Sequence, residues 1–368
     1  MSHNTFKIAF DAKRLFHNRE GLGSYARTLV SNMQALLPQH TYYLCTPDLG
    51  DNAYAQDFFD DSKYRHITAP TKANKSIWRT QGIVKDLRRH EIDVYWGLSN
   101  ELPIGITQVG CKSLVTVHDL FYRYYPQQFG WLDRWVVGRK YRHAVNSADK
   151  VIVTSQHTHR DLIRAFPKVE QVEVLYQSTA YEDRQPQIDP QAEPYYLMVG
   201  SITPRKNLAL VVDTYAQLPP EERLKVRIVG RLTKYADQLK STMARLGVES
   251  CFEFLGQVSN EDLWRLYSNA YALVFPSRYE GFGIPVLESL TAGVPVIGSS
   301  RSSIPEVIGK HGIVIEYDST ESLRAAFIKL KETRASLLDG VDGHLKSFAK
   351  ETTIQQVAHI LSDLMHKA

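Results

Sequence analysis

Short apolar runs recur along this chain, separated by longer segments in which apolar residues return at helical spacing. In the first half the runs are FKIAFDAK (6–13), IDVYWG (92–97), KSLVTVHD (112–119) and DKVIVTS (149–155). In the second half they are PYYLMVG (194–200), LKVRIVG (224–230), CFEFLG (251–256), YALVFPS (271–277), VPVIGS (294–299) and HGIVIEY (311–317). Runs this short, alternating with amphipathic segments, predict strands joined by helices and a mostly parallel sheet. Between the two series lies YEDRQPQIDPQAEP (181–194), polar, aperiodic and carrying three prolines. It is the most linker-like stretch and predicts two doubly wound α/β domains, 1–180 and 181–351. In such sheets ligands bind beyond the carboxyl ends of the strands, so the expected site is the cleft between the domains, built from strand-end motifs.

Composition narrows the function class. The 368 residues are 43% hydrophobic and 23% charged, enough for two ordinary cores. Their 44 basic and 40 acidic side chains give a formal charge of +4, too mild an excess to argue for nucleic acid. Three cysteines, Cys45, Cys111 and Cys251, lie far apart without CxxC spacing, which supports neither a disulfide framework nor a zinc site and fits a reducing cytoplasm. The polar lead MSHNT runs straight into a strand, and no window approaches the ~18 apolar residues of a spanning helix, so export and membrane insertion are not expected.

The stretch RYEGFGIPVLESL (278–290) carries two acids around a glycine turn. It follows a strand and opens a helix with proline near the first position and Gly293 as C-cap, which puts Glu280 in the loop and Glu288 about one turn into the helix. A helix start after glycine seats an anion, and a carboxylate there needs another partner. A nucleotide sugar supplies both chemistries, with ribose and sugar hydroxyls for the acids and a diphosphate for the helix. The alternative is an ordinary turn residue and a solvated helix residue, which spacing alone does not exclude. Arg205 and Lys206, at the turn after the 194–200 strand, are cations suited to a diphosphate, or else a solvated basic pair.

Together YYLMVGSITPRKNL, LGQVSNEDLWRLYSNAYALVFPSRYEGFGIPVLESLTAGVPVIGSS and GIVIEYDS resemble the nucleotide-binding half of the retaining glycosyltransferase family 4, of GT-B fold. The family's pair of glutamates separated by seven residues is met by Glu280 and Glu288. GLGSYARTLV (21–30), VTVHDLFYRYYP (115–126) and SADKVIVTS (147–155) resemble its N-terminal domain, so the likeness spans nearly the whole chain. PRKNL and HDL look closest to bacterial mannosyltransferase-like members that build surface polysaccharides.

The resemblance implies a role for each matching residue. Glu288 takes the ribose hydroxyls, Glu280 approaches the donor sugar, and Arg205 with Lys206 neutralises the diphosphate. Backbone N–H groups of Phe282, Gly283 and Ile284, beside Gly281, complete the phosphate seat. Gly200 and Ser201 stand at the strand end; the family often has arginine where Ser201 stands, which leaves Arg205 as the phosphate arginine. Gly21, Leu22 and Gly23 let the backbone approach donor phosphates or acceptor, unless they form a plain strand-to-helix turn. His118 faces the sugar and donates to a hydroxyl or to developing charge, unless it is satisfied within its own domain. Asp119 orients its loop or caps the next helix. Gly256, Gln257 and Val258 match the nucleobase loop. VLYQSTAY (174–181) replaces the family's asparagine-glycine at the end of the first domain, which leaves the crossover open.

Retention implies either a double displacement, with Glu280 as the one candidate nucleophile, or front-face attack, which the family favours. No metal or other cofactor is expected, since Arg205, Lys206 and the helix end carry the countercharge. The partners are a nucleotide-sugar donor and a saccharide or lipid-linked acceptor. The segment FGWLDRWVVGRKYRHAV (129–145) mixes tryptophans with arginines as a helix lying on an anionic membrane would; the family points instead to a packed helix with a basic outer face. The cytoplasmic location could thus include peripheral contact with the inner face of the membrane. The last segment, 351–368, places Ile354, Val357, Ile360, Leu361 and Leu364 on one face and, in the family, crosses back onto the N-terminal domain. A sugar-nucleotide epimerase and a non-catalytic nucleotide-sugar-binding subunit are the rival readings.

Overall fold

The computed structural model describes residues 5–366. The first four residues of the polar lead and the last two of the terminal segment lie outside the described residues. The chain divides into two compact units, residues 1–180 with 348–368, and residues 181–347.

The first unit is built on seven parallel strands: β1 Lys7–Asp11, β2 Thr41–Thr46, β3 Tyr64–Thr68, β4 Val94–Gly97, β5 Lys112–Val117, β6 Lys150–Val153 and β7 Val172–Val174. Their order is β3-β2-β1-β4-β5-β6-β7, a doubly wound sheet whose direction reverses between β1 and β4. The four strands expected from the apolar runs are β1, β4, β5 and β6. The other three carry a weaker signal for a physical reason. β3 and β7 are edge strands, where polar residues such as Arg65 and Glu173 interrupt the apolar run, and β2 mixes its apolar residues with threonine and tyrosine. Apolar clusters cover both faces of the sheet. The helix Lys350–His366 joins one of them, with Ile354, Val357, Ile360, Leu361 and Leu364 buried among Ile8, Phe10 and Trp96 of the central strands.

The second unit has six parallel strands: β8 Tyr195–Val199, β9 Lys225–Val229, β10 Phe252–Gly256, β11 Ala272–Phe275, β12 Val296–Ser299 and β13 Gly312–Ile315. All six fall where the apolar runs predict them. The order β10-β9-β8-β11-β12-β13 reverses between β8 and β11. Adjacent crossovers leave a gap at such a reversal, beyond the carboxyl ends of β8 and β11.

The polar stretch 181–194 is not a free tether. Tyr181 is buried, stacks on Trp264 at 4.9 Å and donates to the Asn260 carbonyl at 3.1 Å. Further along, Trp264 Nε1 donates to Gln185 O, Gln187 N to Ser268 Oγ and Asp189 N to Asn269 Oδ1. Its prolines remove backbone donors, and the helix Asn260–Asn269 meets several of the polar groups that remain.

Candidate active site

One of the two acids singled out in the sequence, Glu280, meets both cations at the reversal point of the second unit. Arg205 and Lys206 follow β8 in the turn Pro204–Lys206, and Glu280 follows β11. Two hydrogen bonds, one backbone to backbone and one from a side chain, hold these loops together. Arg278 N donates to Arg205 O at 2.8 Å, and Arg205 Nη1 donates to Tyr279 O at 2.8 Å. Glu280 is thereby clamped between two cations, with Arg205 Nη1 2.6 Å from Oε2 and Lys206 Nζ 2.7 Å from Oε1. The Lys206 ammonium also lies 4.5 Å from the centre of the Phe275 ring.

Burial works against the Glu280 charge, but the Arg205 and Lys206 charges and their hydrogen bonds outweigh it and hold the carboxyl down at about 2. The cations expected to meet a diphosphate are therefore paired with Glu280 itself, and the triad keeps one net positive charge.

Glycine shapes the floor of this site. Gly200 has φ +135, and a Cβ there would stand 2.6 Å from Lys206 Cε. Gly230, at the end of β9 with φ +149, lies against the Gly200 carbonyl, where a Cβ would come within 2.1 Å of the oxygen. The Gly200–Ser201 turn thus needs a glycine in the neighbouring strand end as well as its own. Gly230 N in turn donates to Gly256 O at 2.8 Å, which ties in the loop expected to meet the nucleobase. Of that loop, Gly256 has φ +69, Gln257 is exposed and Val258 is half-buried.

Gly283, with φ +113, caps the helix Ile284–Thr291. The first bonds of that helix run from Val286 N and Leu287 N to Gly283 O, so the N–H groups of Gly283 and Ile284 precede its hydrogen-bond ladder. The loop 280–283 is fixed from behind by a serine pair. Ser302 Oγ accepts from Glu280 N at 2.9 Å, and Ser303 Oγ donates to Glu280 O at 2.9 Å and Phe282 O at 2.6 Å. Ser302 adopts φ +55, uncommon for a residue with a Cβ. The one sequence signal for these serines is the small polar run SSRSS at the end of β12.

Glu288 is buried in the same helix, and Tyr267 Oη donates to its Oε2 at 2.7 Å. Burial pushes the Glu288 carboxyl up to about 7, only partly offset by the tyrosine hydrogen bond. The two glutamates, alike in sequence, therefore differ in state. Glu280 is a compensated carboxylate, whereas Glu288 changes charge near neutrality.

In the first unit, His118 ends β5 and is buried with its Nε2 2.8 Å from Leu98 O. A carbonyl only accepts, so Nε2 carries the proton and Nδ1 is the lone-pair nitrogen. Burial lowers the ring to about 4, against the pull of the Leu98 carbonyl. The expectation that His118 donates to a sugar is corrected by this geometry: its one proton is committed within the domain, and Nδ1 acts as an acceptor. Asp119 caps the following turn, its Oδ1 accepting from Phe121 N at 2.9 Å.

Gly21, Leu22 and Gly23 form the first turn of the helix Gly21–Leu36. A Cβ on Gly23 would collide with the Asn18 carbonyl, and its N–H is 2.9 Å from Glu20 O and 3.2 Å from Asn18 Oδ1. Gly23 thus has a local structural reason, and its N–H is not offered to a phosphate. Gly21 faces open space, with nothing within 4 Å of where its Cβ would be.

Two family models cover this architecture. Residues 19–178 match Glycosyltransferase Family 4, and residues 180–340 match Glycosyl transferases group 1. The chain belongs to glycosyltransferase family 4. This glycosyltransferase is 29% identical over 263 residues to O-antigen chain mannosyltransferase B of Escherichia coli, covering 66% of each chain. It is 30% identical over 223 residues to O-antigen chain mannosyltransferase RfbU of Salmonella typhimurium, covering 60% of its own length and 61% of the relative's. The match thus covers 66% of the first relative's length and 61% of the second's, and the rest of each lies outside it. In fold it is similar to the Anabaena protein HepE solved in complex with UDP-glucose, with a TM-score of 0.75 at 18% identity, covering 97% of this chain and 100% of the other.

Proposed function

We propose that this glycosyltransferase moves a hexosyl unit, with retention, from a nucleoside-diphosphate sugar to a saccharide or lipid-linked glycan acceptor in surface polysaccharide synthesis. The observation that carries the reading is the Arg205–Glu280–Lys206 clamp at the reversal point of the second sheet, together with Glu288, a buried carboxyl held by Tyr267 in the helix that follows the Glu280 loop. The mannosyltransferase relatives support mannose from GDP-mannose as the first donor to try, with a UDP-hexose as the second.

In this reading Arg205 and Lys206 turn from Glu280 to the diphosphate, and the N–H groups of Gly283 and Ile284 add to the seat. Glu288, deprotonated, takes both ribose hydroxyls. Gly256, Gln257 and Val258 line the base. The C1–O bond to the diphosphate breaks with its electron pair leaving on the phosphate oxygen, and the acceptor hydroxyl adds to C1 from the same face. Its proton passes to the departing phosphate oxygen. Glu280, freed from its cations, stabilises positive charge at C1 without bonding to it. His118 Nδ1 accepts from a substrate hydroxyl. The two cations and the helix end supply the countercharge, so no metal is required for departure of the nucleotide.

Proton NMR of the product tests the stereochemistry. With an α-linked donor the expected product is the α-glycoside; a β-linked product would overturn retention and with it the front-face geometry.

A further inference from the structure

The helix Trp131–Ser147 is anchored by one end only. Tyr141, Ala144 and Val145 are buried in the first unit, whereas residues 131–136 are all exposed. Trp131 is 82% exposed, Leu132 53%, Trp135 58% and Val136 38%. At spacings of one, four and five residues these four share one side of the helix. Such a group of large apolar side chains in water marks an interaction surface rather than a solvent face.

The charges around it are mainly positive, although Lys140 Nζ meets Glu101 Oε1 at 3.1 Å. The helix carries Arg134, Arg139, Lys140 and Arg142 against Asp133 alone, and the preceding turn adds exposed Arg123. The Arg139 guanidinium lies 5.0 Å over the Trp135 ring, which joins the cationic rim to the apolar patch. A second copy of the chain would set this basic rim against itself. An anionic lipid surface complements both parts, since indole rings settle at the headgroup boundary and arginines pair with phosphates. Among the described residues no helix is long and apolar enough to cross a membrane, so the contact is made from the side.

We infer that the projecting half of the helix Trp131–Ser147 docks the enzyme on an anionic phospholipid bilayer, with Trp131, Leu132, Trp135 and Val136 entering the headgroup boundary. The inference deepens the lipid-linked acceptor reading, and vesicle binding is measured apart from sugar transfer.

The test is sedimentation of the full chain with phosphatidylcholine vesicles, with and without phosphatidylglycerol. Binding is expected only where phosphatidylglycerol is present and is expected to weaken as salt is raised. Tryptophan emission should shift to the blue on binding, because Trp78, Trp96 and Trp264 are already buried and Trp131 and Trp135 are not. Combined Trp131→Ser and Trp135→Ser replacement should weaken binding about tenfold or more, while circular dichroism and turnover on a water-soluble acceptor stay unchanged. Absence of binding to the anionic vesicles, equal binding by the double variant, or a dimer that the double variant dissolves without any vesicle binding would each overturn the inference. Vesicle binding with no transfer from any nucleotide sugar would instead overturn the proposed function and leave the docking surface standing.

Discussion

Replacing Glu280 with glutamine is expected to lower turnover by about a hundred- to a thousandfold, the range for losing one preorganised group that meets charge at the transition state. Binding should move the other way. In the native site Glu280 occupies both Arg205 and Lys206, so in the proposed reading a diphosphate displaces it. With glutamine the two cations are left uncompensated in a largely buried place. The ligand-free variant is destabilised by roughly 3–5 kcal/mol at the upper end, and a nucleoside diphosphate relieves that cost. The variant should therefore gain more thermal stability from nucleoside diphosphate than the native enzyme does. The native carboxyl, lowered to about 2 from 4.5, contributes stability that is present above pH 4.5 and lost as pH falls toward 2. Glu280→Gln flattens that window. Differential scanning fluorimetry across pH, with steady-state kinetics, checks each part; turnover and nucleotide affinity falling together would make Glu280 a simple binding residue.

The second large effect is at Glu288. Two ribose hydroxyls donating to one buried carboxylate are worth roughly 2–3 kcal/mol together, so Glu288→Gln should weaken the donor about thirty- to a hundred-and-fiftyfold. The pH profile separates this role from general damage. In the free enzyme the carboxyl is raised to about 7 from 4.5. It holds its proton more tightly folded than unfolded, so its contribution to stability is full below pH 4.5 and is lost as pH rises through 7. Donor binding follows the opposite course, because the carboxylate is the binding form. Affinity for a nucleotide sugar, whose diphosphate does not titrate in this range, should rise up to about tenfold per pH unit below 7 and level off above it. Binding near pH 6 should release a proton, seen in calorimetry as a dependence on buffer ionisation enthalpy. Glu288→Gln should remove both signatures; a native profile flat from pH 6 to 8 would contradict the assignment.

The parts of the site that could be read from the sequence are those carried by short contiguous motifs. Glu280, Glu288, Arg205 and Lys206 stand in strand-turn-helix segments whose apolar runs are continuous, so both element and loop position follow from local pattern. What pattern did not carry depends on packing between distant segments. Tyr267 reaches Glu288 because the helices Asn260–Asn269 and Ile284–Thr291 lie side by side, and a lone tyrosine in an amphipathic helix reads as core. Ser302 and Ser303 fix the Glu280 loop from the next strand end, and Gly230 makes room for a carbonyl of another strand. His118 was recognisable as a strand-end histidine, but its tautomer is set by the Leu98 carbonyl twenty positions earlier. The edge strands β3 and β7 carry polar residues on a sheet border, which breaks the apolar run.

The same distinction explains the helix Trp131–Ser147. Its composition fits a packed helix as well as a surface one, and only three-dimensional packing divides it into an anchored half and a projecting half.

A thermal-shift panel of UDP, GDP, ADP and CMP with the native enzyme and with Glu288→Ala tests the donor site most directly. A nucleotide at ~100 times its dissociation constant stabilises by ~2.7 kcal/mol. The account predicts a shift selective for one nucleoside diphosphate that is largely lost in Glu288→Ala. No shift with any of the four, or a shift of equal size in the variant, would contradict it.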